Sequence, residues 1–230
     1  MKRISLIIIC LVIFSLNCNA QRGTKAYGFK GGTNVNWVNT SSSAGHNNGI
    51  RFGYTAGCFI DSYFTDHVAF SIGLNYSRLR MKYQFTDYRR MVDFLEYADI
   101  SVNREFKGSY VEMPLKIKVK IEVYDSWSVF ADGGVALGVN FADRAKDSYN
   151  FYGIKYFDDG YNDVTNQYRM FQAALNFGLG AQYDISSSLT VFAQLTYHHA
   201  LTNTFTQWLQ EMTESNLKTN YIGLELGILL

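Results

Sequence analysis

The segment YVEMPLKIKVKIEV, residues Tyr110–Val123, decides how this chain folds. Its apolar and polar residues alternate along most of its length, and successive side chains of a β-strand point to opposite faces. The segment therefore predicts a long strand with one apolar face and one charged face. The apolar face carries Val111, Met113, Leu115, Ile117, Val119 and Ile121, and the charged face carries Glu112, Lys116, Lys118 and Lys120.

Seven further segments alternate in the same way, which gives eight predicted strands. Three of the connections between them are tight, at Thr65–His67, Tyr124–Ser126 and Asp184–Ser188, and the four others are long. Connections that alternate between short and long are typical of an up-and-down barrel with short periplasmic turns and longer external loops. The seven segments are Tyr27–Trp37, Arg51–Phe64, Val68–Met81, Trp127–Ala142, Tyr168–Tyr183, Leu189–Leu201 and Thr219–Leu230.

Strand length and aromatic placement favour a membrane barrel over a soluble sheet with one wet face. Soluble strands usually have about 5–6 residues and membrane strands about 9–11, and these segments have 11 to 16. We therefore predict an all-β fold, an eight-stranded antiparallel up-and-down transmembrane β-barrel, with an aromatic girdle at each lipid boundary. The external girdle would comprise Trp37, Tyr76, Tyr83, Tyr110, Phe141, Tyr168, Tyr197 and Tyr221, and the periplasmic one Phe64, Tyr124, Trp127 and Tyr183.

Residues 1–20 have the features of a secretory signal peptide. Lys2 and Arg3 precede an apolar run, Ile4–Leu16, and small residues before Gln21 suit cleavage. A membrane helix needs about 20 apolar residues, more than this run provides, so an N-terminal anchor is the weaker interpretation. The sequence thus predicts a barrel domain over residues 21–230, located in the outer membrane.

Charge and cysteine content argue against several classes of function. Without the predicted signal peptide the chain has 19 basic and 20 acidic residues, so it lacks the basic face of a nucleic-acid-binding protein. Cys58 is then the only cysteine, which excludes an intramolecular disulfide. His198 and His199 would face opposite sides of one strand and could not share a metal. We expect no cofactor and no metal.

An eight-stranded barrel has a lumen about wide enough for side chains alone. Charges that point inward must be paired, because burying a lone charge is costly. We therefore predict a hydrogen-bonded ion network that fills the interior, with a narrow selective pore as the alternative. The predicted lumen residues are Lys30, Arg51, Asp61, Glu112, Lys116, Lys118, Asp132 and Glu225.

Three motifs, in this order along the chain, resemble those of a known family. They are YGFKGGTNVNW at Tyr27–Trp37, Glu-x-Pro-Leu at Glu112–Leu115, and YIGLELGILL at Tyr221–Leu230. The resemblance is to the Bacteroidetes outer-membrane β-barrel family often called PorT-like, and it covers nearly all of the chain after residue 20. It implies an outer-membrane barrel. One founding relative takes part in protein export with the type IX secretion and gliding machinery.

A membrane lipid hydrolase is the weakest of the functional interpretations. One type of eight-stranded barrel enzyme carries a His-x-Ser pair, whereas His198 is followed here by His199 and Ala200. His199 could meet Glu214 and Ser215 at the base of a loop, although a nucleophile and its base are recognised by their geometry. We therefore predict that the protein is not an enzyme.

The long connections Gln84–Ser109 and Asp143–Gln167 form the predicted recognition surface, because rigid scaffolds place recognition in loops. The second could bind Ca²⁺ or a glycan, and a solvated turn is the plainer interpretation. Its candidate recognition residues are Tyr156, Asp158, Asp159, Tyr161 and Asp163. Two groups have the spacing of one helix face and would cap the barrel or dock a partner, namely Met91, Phe94, Leu95 and Ala98, and Phe205, Trp208, Leu209 and Met212.

The sequence thus predicts a non-enzymatic structural or interaction protein that displays its loops at the cell surface. In a more specific version it is an accessory of a secretion or surface complex. A barrel that binds a small molecule or ion, or a narrow channel, is the alternative. The expected partners are the lipid bilayer of the outer membrane and a protein bound through the external loops.

Overall fold

A single antiparallel sheet makes up most of the computed structural model. The structure describes residues 25–40, 45–90, 97–151, 154–157, 160–206 and 217–230, which leaves the predicted signal peptide outside the described residues. A 3₁₀ turn covers Thr165–Gln167. The strands are β1 Lys25–Thr40, β2 Gly45–Asn47, β3 Arg51–Tyr63, β4 Val68–Arg90, β5 Tyr97–Tyr124, β6 Trp127–Phe151, β7 Ile154–Phe157, β8 Asn162–Asp163, β9 Phe171–Ser186, β10 Leu189–Ala200 and β11 Leu217–Leu229.

Eight of these strands close into a barrel, which confirms the predicted fold class. Each pairs with the next in the order β1, β3, β4, β5, β6, β9, β10, β11, and β1 then pairs with β11 from Gly28↔Leu229 to Thr40↔Leu217. At the periplasmic end of the β1–β11 pairing the backbones of Tyr27 and Leu230 exchange hydrogen bonds of 3.0 and 2.8 Å. Closure leaves no free sheet edge, and this is the condition for a sheet to cross a bilayer.

The outer surface of the barrel is an apolar belt. On the barrel strands the large apolar side chains alternate with buried polar ones, and Leu179 is 68% and Leu226 60% exposed. Exposed apolar surface of this extent needs lipid around it. Each of the eight barrel strands contributes to the belt, for example through Phe29, Phe52, Leu74, Ile117, Leu137, Leu179, Leu195 and Leu226.

The periplasmic girdle has the predicted residues, and the external girdle has only half of them. Phe64, Tyr124, Trp127 and Tyr183 are exposed at the end with the tight turns, where the Trp127 and Tyr183 rings lie 5.0 Å apart. At the other end Trp37, Tyr76, Phe141 and Tyr197 face outward, whereas four predicted members are buried inside. The prediction was wrong for Tyr83, Tyr110, Tyr168 and Tyr221, because their positions in the alternation place them on the inner face.

Three strands continue well beyond the external girdle, so the predicted loops are largely sheet. β4, β5 and β6 have 23, 28 and 25 residues, and β4 and β5 stay paired up to Arg90↔Tyr97. The predicted helical turn near Ala98 is wrong, since Ala98 lies in β5 opposite Arg89. Its other members, Met91, Phe94 and Leu95, lie outside the described residues.

The pattern of alternation inverts where these strands leave the belt. On β4, Ser77 faces inward and Tyr76 outward, but beyond them Leu79 and Met81 are buried inside while Arg80 is exposed. Apolar side chains belong outside in lipid and inside in water, so the inversion marks the external lipid boundary. We call the sheet beyond this boundary the external extension; it comprises residues 78–90 of β4, 97–109 of β5 and 142–151 of β6.

An arginine in place of Ile117 should be tolerated poorly, because Ile117 is exposed on β5 halfway between the girdles. We expect Ile117→Arg to destabilise the inserted barrel by about 2–4 kcal/mol. Val123→Arg, on the same face of the same strand but at the periplasmic boundary, should cost about 0–1 kcal/mol. Urea titrations of folding into vesicles measure both. Equal losses for the two variants would show that the belt is placed wrongly.

Candidate functional site

Three phenylalanines close the periplasmic end of the lumen. Phe59, Phe130 and Phe192 point inward, and the Phe192 ring meets the other two edge-on at 5.7 and 6.1 Å between ring centroids. Glycine makes room for these rings, because a Cβ at Gly227 would lie 2.4 Å from Phe192. The sequence analysis missed this plug, although the inward position of Asp132 implies that Phe130, two residues earlier, points inward as well.

Three ion pairs lie next to the phenylalanine plug. The Nζ atoms of the lysines are 2.8–2.9 Å from their carboxylate oxygens, and none of the six side chains is more than 6% exposed. Pairing offsets the large desolvation cost that each charge would carry alone. The three pairs are Lys30–Glu225, Lys116–Asp132 and Lys118–Asp61, six of the eight residues predicted for the lumen.

The ion pairs are tied to their surroundings by further contacts. Gln194 donates a hydrogen bond of 2.6 Å to the same oxygen of Asp132 that Lys116 binds. The Lys118 ammonium lies 4.4 Å from the centroid of the Phe130 ring, a cation–π contact that links the ionic layer to the phenylalanine plug. The periplasmic half of the lumen is therefore largely filled by side chains that hold one another in place around one small cavity.

Glu112 is buried in the lumen and joins its network through a hydroxyl group, whereas Arg51 lies at the barrel mouth. The carboxylate of Glu112 accepts a hydrogen bond of 2.8 Å from Ser77 and lies 4.0 Å from His198. Arg51 is at the external end of β3, only half-buried, and its guanidinium donates to the carbonyl of Ile50. Its assignment to the lumen network was wrong, because a residue at the barrel mouth has water and backbone to solvate it.

Ser77, Glu112 and His198 belong to a polar layer in the middle of the lumen. Ser77 lies 3.3 Å from Thr55, which accepts a hydrogen bond from Asn34, and His198 stacks on Tyr221 at 4.4 Å. A serine, a carboxylate and a histidine could suggest hydrolytic chemistry, but these three side chains are at most 3% exposed, so a substrate could not reach them. The layer is best described as hydrogen-bonded packing.

The two adjacent histidines point in opposite directions, as the strand alternation predicts. His198 is fully buried, and His199 lies on the outer face beside the Tyr197 ring, 6.3 Å between centroids. Glu214 and Ser215, which were considered as partners of His199, lie outside the described residues. Within the described part of the chain, no cluster of three or more His, Cys, Asp or Glu side chains could hold a metal ion.

A second, apolar core fills the space above the polar layer and lies inside the external extension. Phe106 packs on Tyr168 at 4.2 Å, and Phe205 contacts both Tyr168 and Tyr83. Phe205 was predicted on a helix face but instead forms an isolated β-bridge with Tyr168; Trp208, Leu209 and Met212 lie outside the described residues. This external core comprises Val38, Met81, Tyr83, Val102, Phe106, Ala145, Val164, Tyr168, Phe205 and Leu217.

A buried ion pair runs through the external core. Arg104 on β5 binds Asp147 on β6 through two parallel hydrogen bonds of 2.6 Å, and it also donates to Gln167 at 2.6 Å. Beside it the hydroxyls of Tyr83 and Tyr168 are hydrogen-bonded at 2.5 Å. Burial raises the pKa of Tyr83 to about 12, against the opposing effect of the Arg104 charge. Such fork-like pairing fixes the relative position of two strands as well as stabilising them.

The predicted recognition residues are only partly described. Asp163 accepts hydrogen bonds from the backbone and the hydroxyl of Thr165, at 3.0 and 2.6 Å, which is the geometry of a local turn. The Tyr161 ring lies 3.4 Å from the Lys107 ammonium. Tyr156 is in β7 opposite Tyr149, with its side chain undescribed. Asp158 and Asp159 lie outside the described residues.

Breaking a buried ion pair should cost far more than breaking an exposed one. Asp61→Leu leaves the Lys118 ammonium buried without its partner, and we expect a loss of about 3–5 kcal/mol in a folding titration. Adding Lys118→Met should recover much of that loss. The control is Glu122→Leu, which breaks the solvent-exposed pair with Lys120 and should cost under about 1 kcal/mol. A double variant as unstable as Asp61→Leu alone would contradict this account of the lumen.

No helix in the described residues is long and apolar enough to cross a membrane. No curated protein matches the chain in sequence. Solved structures with a similar arrangement of strands include Neisserial surface protein A, with 11% identity, a TM-score of 0.43, and coverage of 88% of this chain and 97% of the other. The N-terminal β-barrel domain of Pseudomonas aeruginosa OprF has 11% identity and a TM-score of 0.36, covering 91% and 100% of the two chains. The outer membrane protease OmpT from Escherichia coli has 7% identity and a TM-score of 0.38, covering 92% and 98%.

A match to a protein family identifies the chain more firmly than these distant structural similarities do. Residues 19–206 match the family described as the outer membrane protein beta-barrel domain, which is most of the chain. The closed barrel and its apolar belt agree with that match. This chain is therefore a member of the outer membrane protein beta-barrel domain family, and its place is the outer membrane.

Proposed function

We propose that this protein is a non-enzymatic interaction protein, in which the barrel is a membrane anchor and the external extension is the surface that a partner binds. The observation that carries this proposal is the continuation of β4, β5 and β6 beyond the lipid boundary as one hydrogen-bonded sheet with a core of its own. A barrel that needed only to cross the membrane could end its strands at the girdle. The additional sheet therefore points to a role outside the membrane.

The extension is built to keep its shape. The external core packs against its inner face, and the Arg104–Asp147 pair joins β5 to β6 within that core. A surface that is already ordered loses little conformational entropy when a partner binds, so a rigid sheet supports tighter association than a mobile loop of the same length. Recognition by such a surface fits an interaction protein better than a flexible lid would.

The filled lumen argues against the alternative of a narrow channel. The phenylalanine plug, the three ion pairs, the polar layer and the external core follow one another along the barrel axis. Water-filled passages are expected in barrels with many more strands than eight. We therefore favour interaction over conduction as the function of this barrel.

A place as an accessory of a secretion or surface complex is the more specific form of this proposal. Its support is the resemblance of the Tyr27–Trp37, Glu112–Leu115 and Tyr221–Leu230 motifs to the PorT-like barrels. The rigid external extension suits such a role, since an accessory must present a fixed surface to a larger assembly. The cleaved signal peptide proposed for residues 1–20 would direct the chain to the export route that ends at the outer membrane.

Trimming the extension tests this function. Thr86 and Ser101 pair across β4 and β5, so residues 87–100 can be replaced by Asn-Gly, which suits a two-residue hairpin turn. We expect the trimmed barrel to fold and to resist heat, but to lose the partner that crosslinks to the full-length protein in intact cells. The trimmed protein should also fail to complement a deletion strain.

A matched control lengthens the opposite end of the barrel. Two residues, Gly-Ser, inserted after Asp125 in the periplasmic turn should leave folding, crosslinking and complementation unchanged. Full complementation by the trimmed protein would contradict the proposal. Discrete conductance steps from the full-length protein in planar bilayers would favour the channel instead.

A further inference from the structure

Six cationic side chains gather on the outer face of the external extension. They occupy outward positions on three neighbouring strands, between the inward residues Leu79, Met81, Phe106 and Ala145 of the external core. The apolar side chains of the belt end where these cations begin. The six residues are Arg78, Arg80 and Lys82 on β4, Lys107 on β5, and Arg144 and Lys146 on β6.

Three of them form a row across the strands, which we call the cation row. Arg80 is directly opposite Lys107, and Lys107 is directly opposite Arg144. Side chains at opposed positions in a sheet have Cβ atoms about 5 Å apart, and like charges there destabilise the pairing. Desolvation and the nearby charge of Arg80 lower the pKa of Lys107, against the opposing effect of the Glu105 charge. The three members of the row therefore repel one another, and Glu105 offsets only part of that repulsion.

Two described carboxylates lie near the cation row, but neither forms an ion pair with it. Glu105 lies between Lys82 and Lys146 in the next row, and Asp163 is opposite Arg144. Among the side chains that the structure describes, however, none of the carboxylates comes within 4.0 Å of the cationic nitrogens of Arg80, Lys107 or Arg144. The Tyr161 ring covers Lys107 on one side without adding a formal charge. Arg80, Lys107 and Arg144 thus form no ion pair with the carboxylates that the structure describes.

The height of the cation row above the lipid indicates which anion it meets. Arg78 and Arg80 are two and four residues beyond the outward ring of Tyr76 on β4. With a rise of about 3.3 Å per residue and a tilt of about 40°, they lie about 5 and 10 Å above the ring. The headgroup layer on each side of a bilayer is about 5–8 Å thick. Arg80 is thus just above that layer, and long Arg and Lys side chains bend toward it, so the row reaches the lipid headgroups.

We propose that the cation row, Arg80, Lys107 and Arg144, binds the phosphate group of an anionic lipid in the external leaflet of the membrane. The guanidinium groups at both ends match the oxygens of a phosphate in bidentate geometry, and the central ammonium adds a third charge. Arg78, Lys82 and Lys146 flank the site and extend it to neighbouring headgroups. This site does not depend on the protein partner proposed above, because it lies at the lipid boundary and not at the tip of the extension.

Binding of a defined lipid to the purified full-length barrel tests the proposal. The probe is phosphatidic acid, titrated into the protein in a neutral detergent and followed by native mass spectrometry. The triple variant Arg80→Gln, Lys107→Gln, Arg144→Gln should bind it about 100-fold more weakly, from a roughly fivefold loss for each charge. Lys218→Gln, another outward cation near the external end of β11, is the matched control and should bind normally.

Further arms of the experiment distinguish the sources of the anion. Phosphatidylcholine, which has a neutral headgroup, should bind weakly to every variant, and inorganic phosphate at the same concentration should not displace phosphatidic acid. Displacement by free phosphate would overturn the lipid assignment, and tighter binding of polyglutamate than of lipid would assign the row to an acidic protein segment instead. Unchanged lipid binding by a triple variant that retains the heat resistance of the native barrel would overturn the proposal altogether.

Discussion

The structure depends on one constraint, which is that backbone N–H and C=O groups find no water to pair with inside a lipid bilayer. The pairing of β1 with β11 meets this constraint at the last open edge, and closure by eight strands fixes a lumen about as wide as the side chains that point into it. The inward charged groups must then find partners on other strands. The three ion pairs and the bond from Ser77 to Glu112 follow from that need.

Alternation predicts which face a side chain lies on, but it does not predict which partner it meets. The faces of Lys116 and Ile117 could be assigned from the sequence, because neighbours in a strand point in opposite directions. The partner of Lys118 could not, since Asp61 is 57 positions away and is reached only through the register of the closed sheet. For the same reason the sequence could not show that Glu112 meets Ser77 and His198.

Half of the external girdle could be predicted from the sequence, but the structure beyond it could not. Long connections suggested loops, whereas the chain continues there as strands in which apolar residues face inward and charged residues face outward. The inversion is visible in the sequence of β4, where Ser77 and Tyr76 are followed by Leu79 and Arg80. Reading it would have placed Tyr83 inside the protein. The same strands therefore place apolar side chains outward where lipid surrounds them and inward where water does, which gives the barrel, the external core and the outward cations.

The central claim is that the external extension is as firmly structured as the barrel that carries it. Hydrogen exchange of the backbone amides, followed by mass spectrometry in lipid nanodiscs, tests it most directly, because exchange reports the opening of individual hydrogen bonds. The account predicts that peptides from Val102–Ser109 and from residues 143–148 exchange as slowly as those from Tyr110–Val123, since the same ladders join them. Exchange within seconds above the girdle, with protection confined to the barrel, would contradict it.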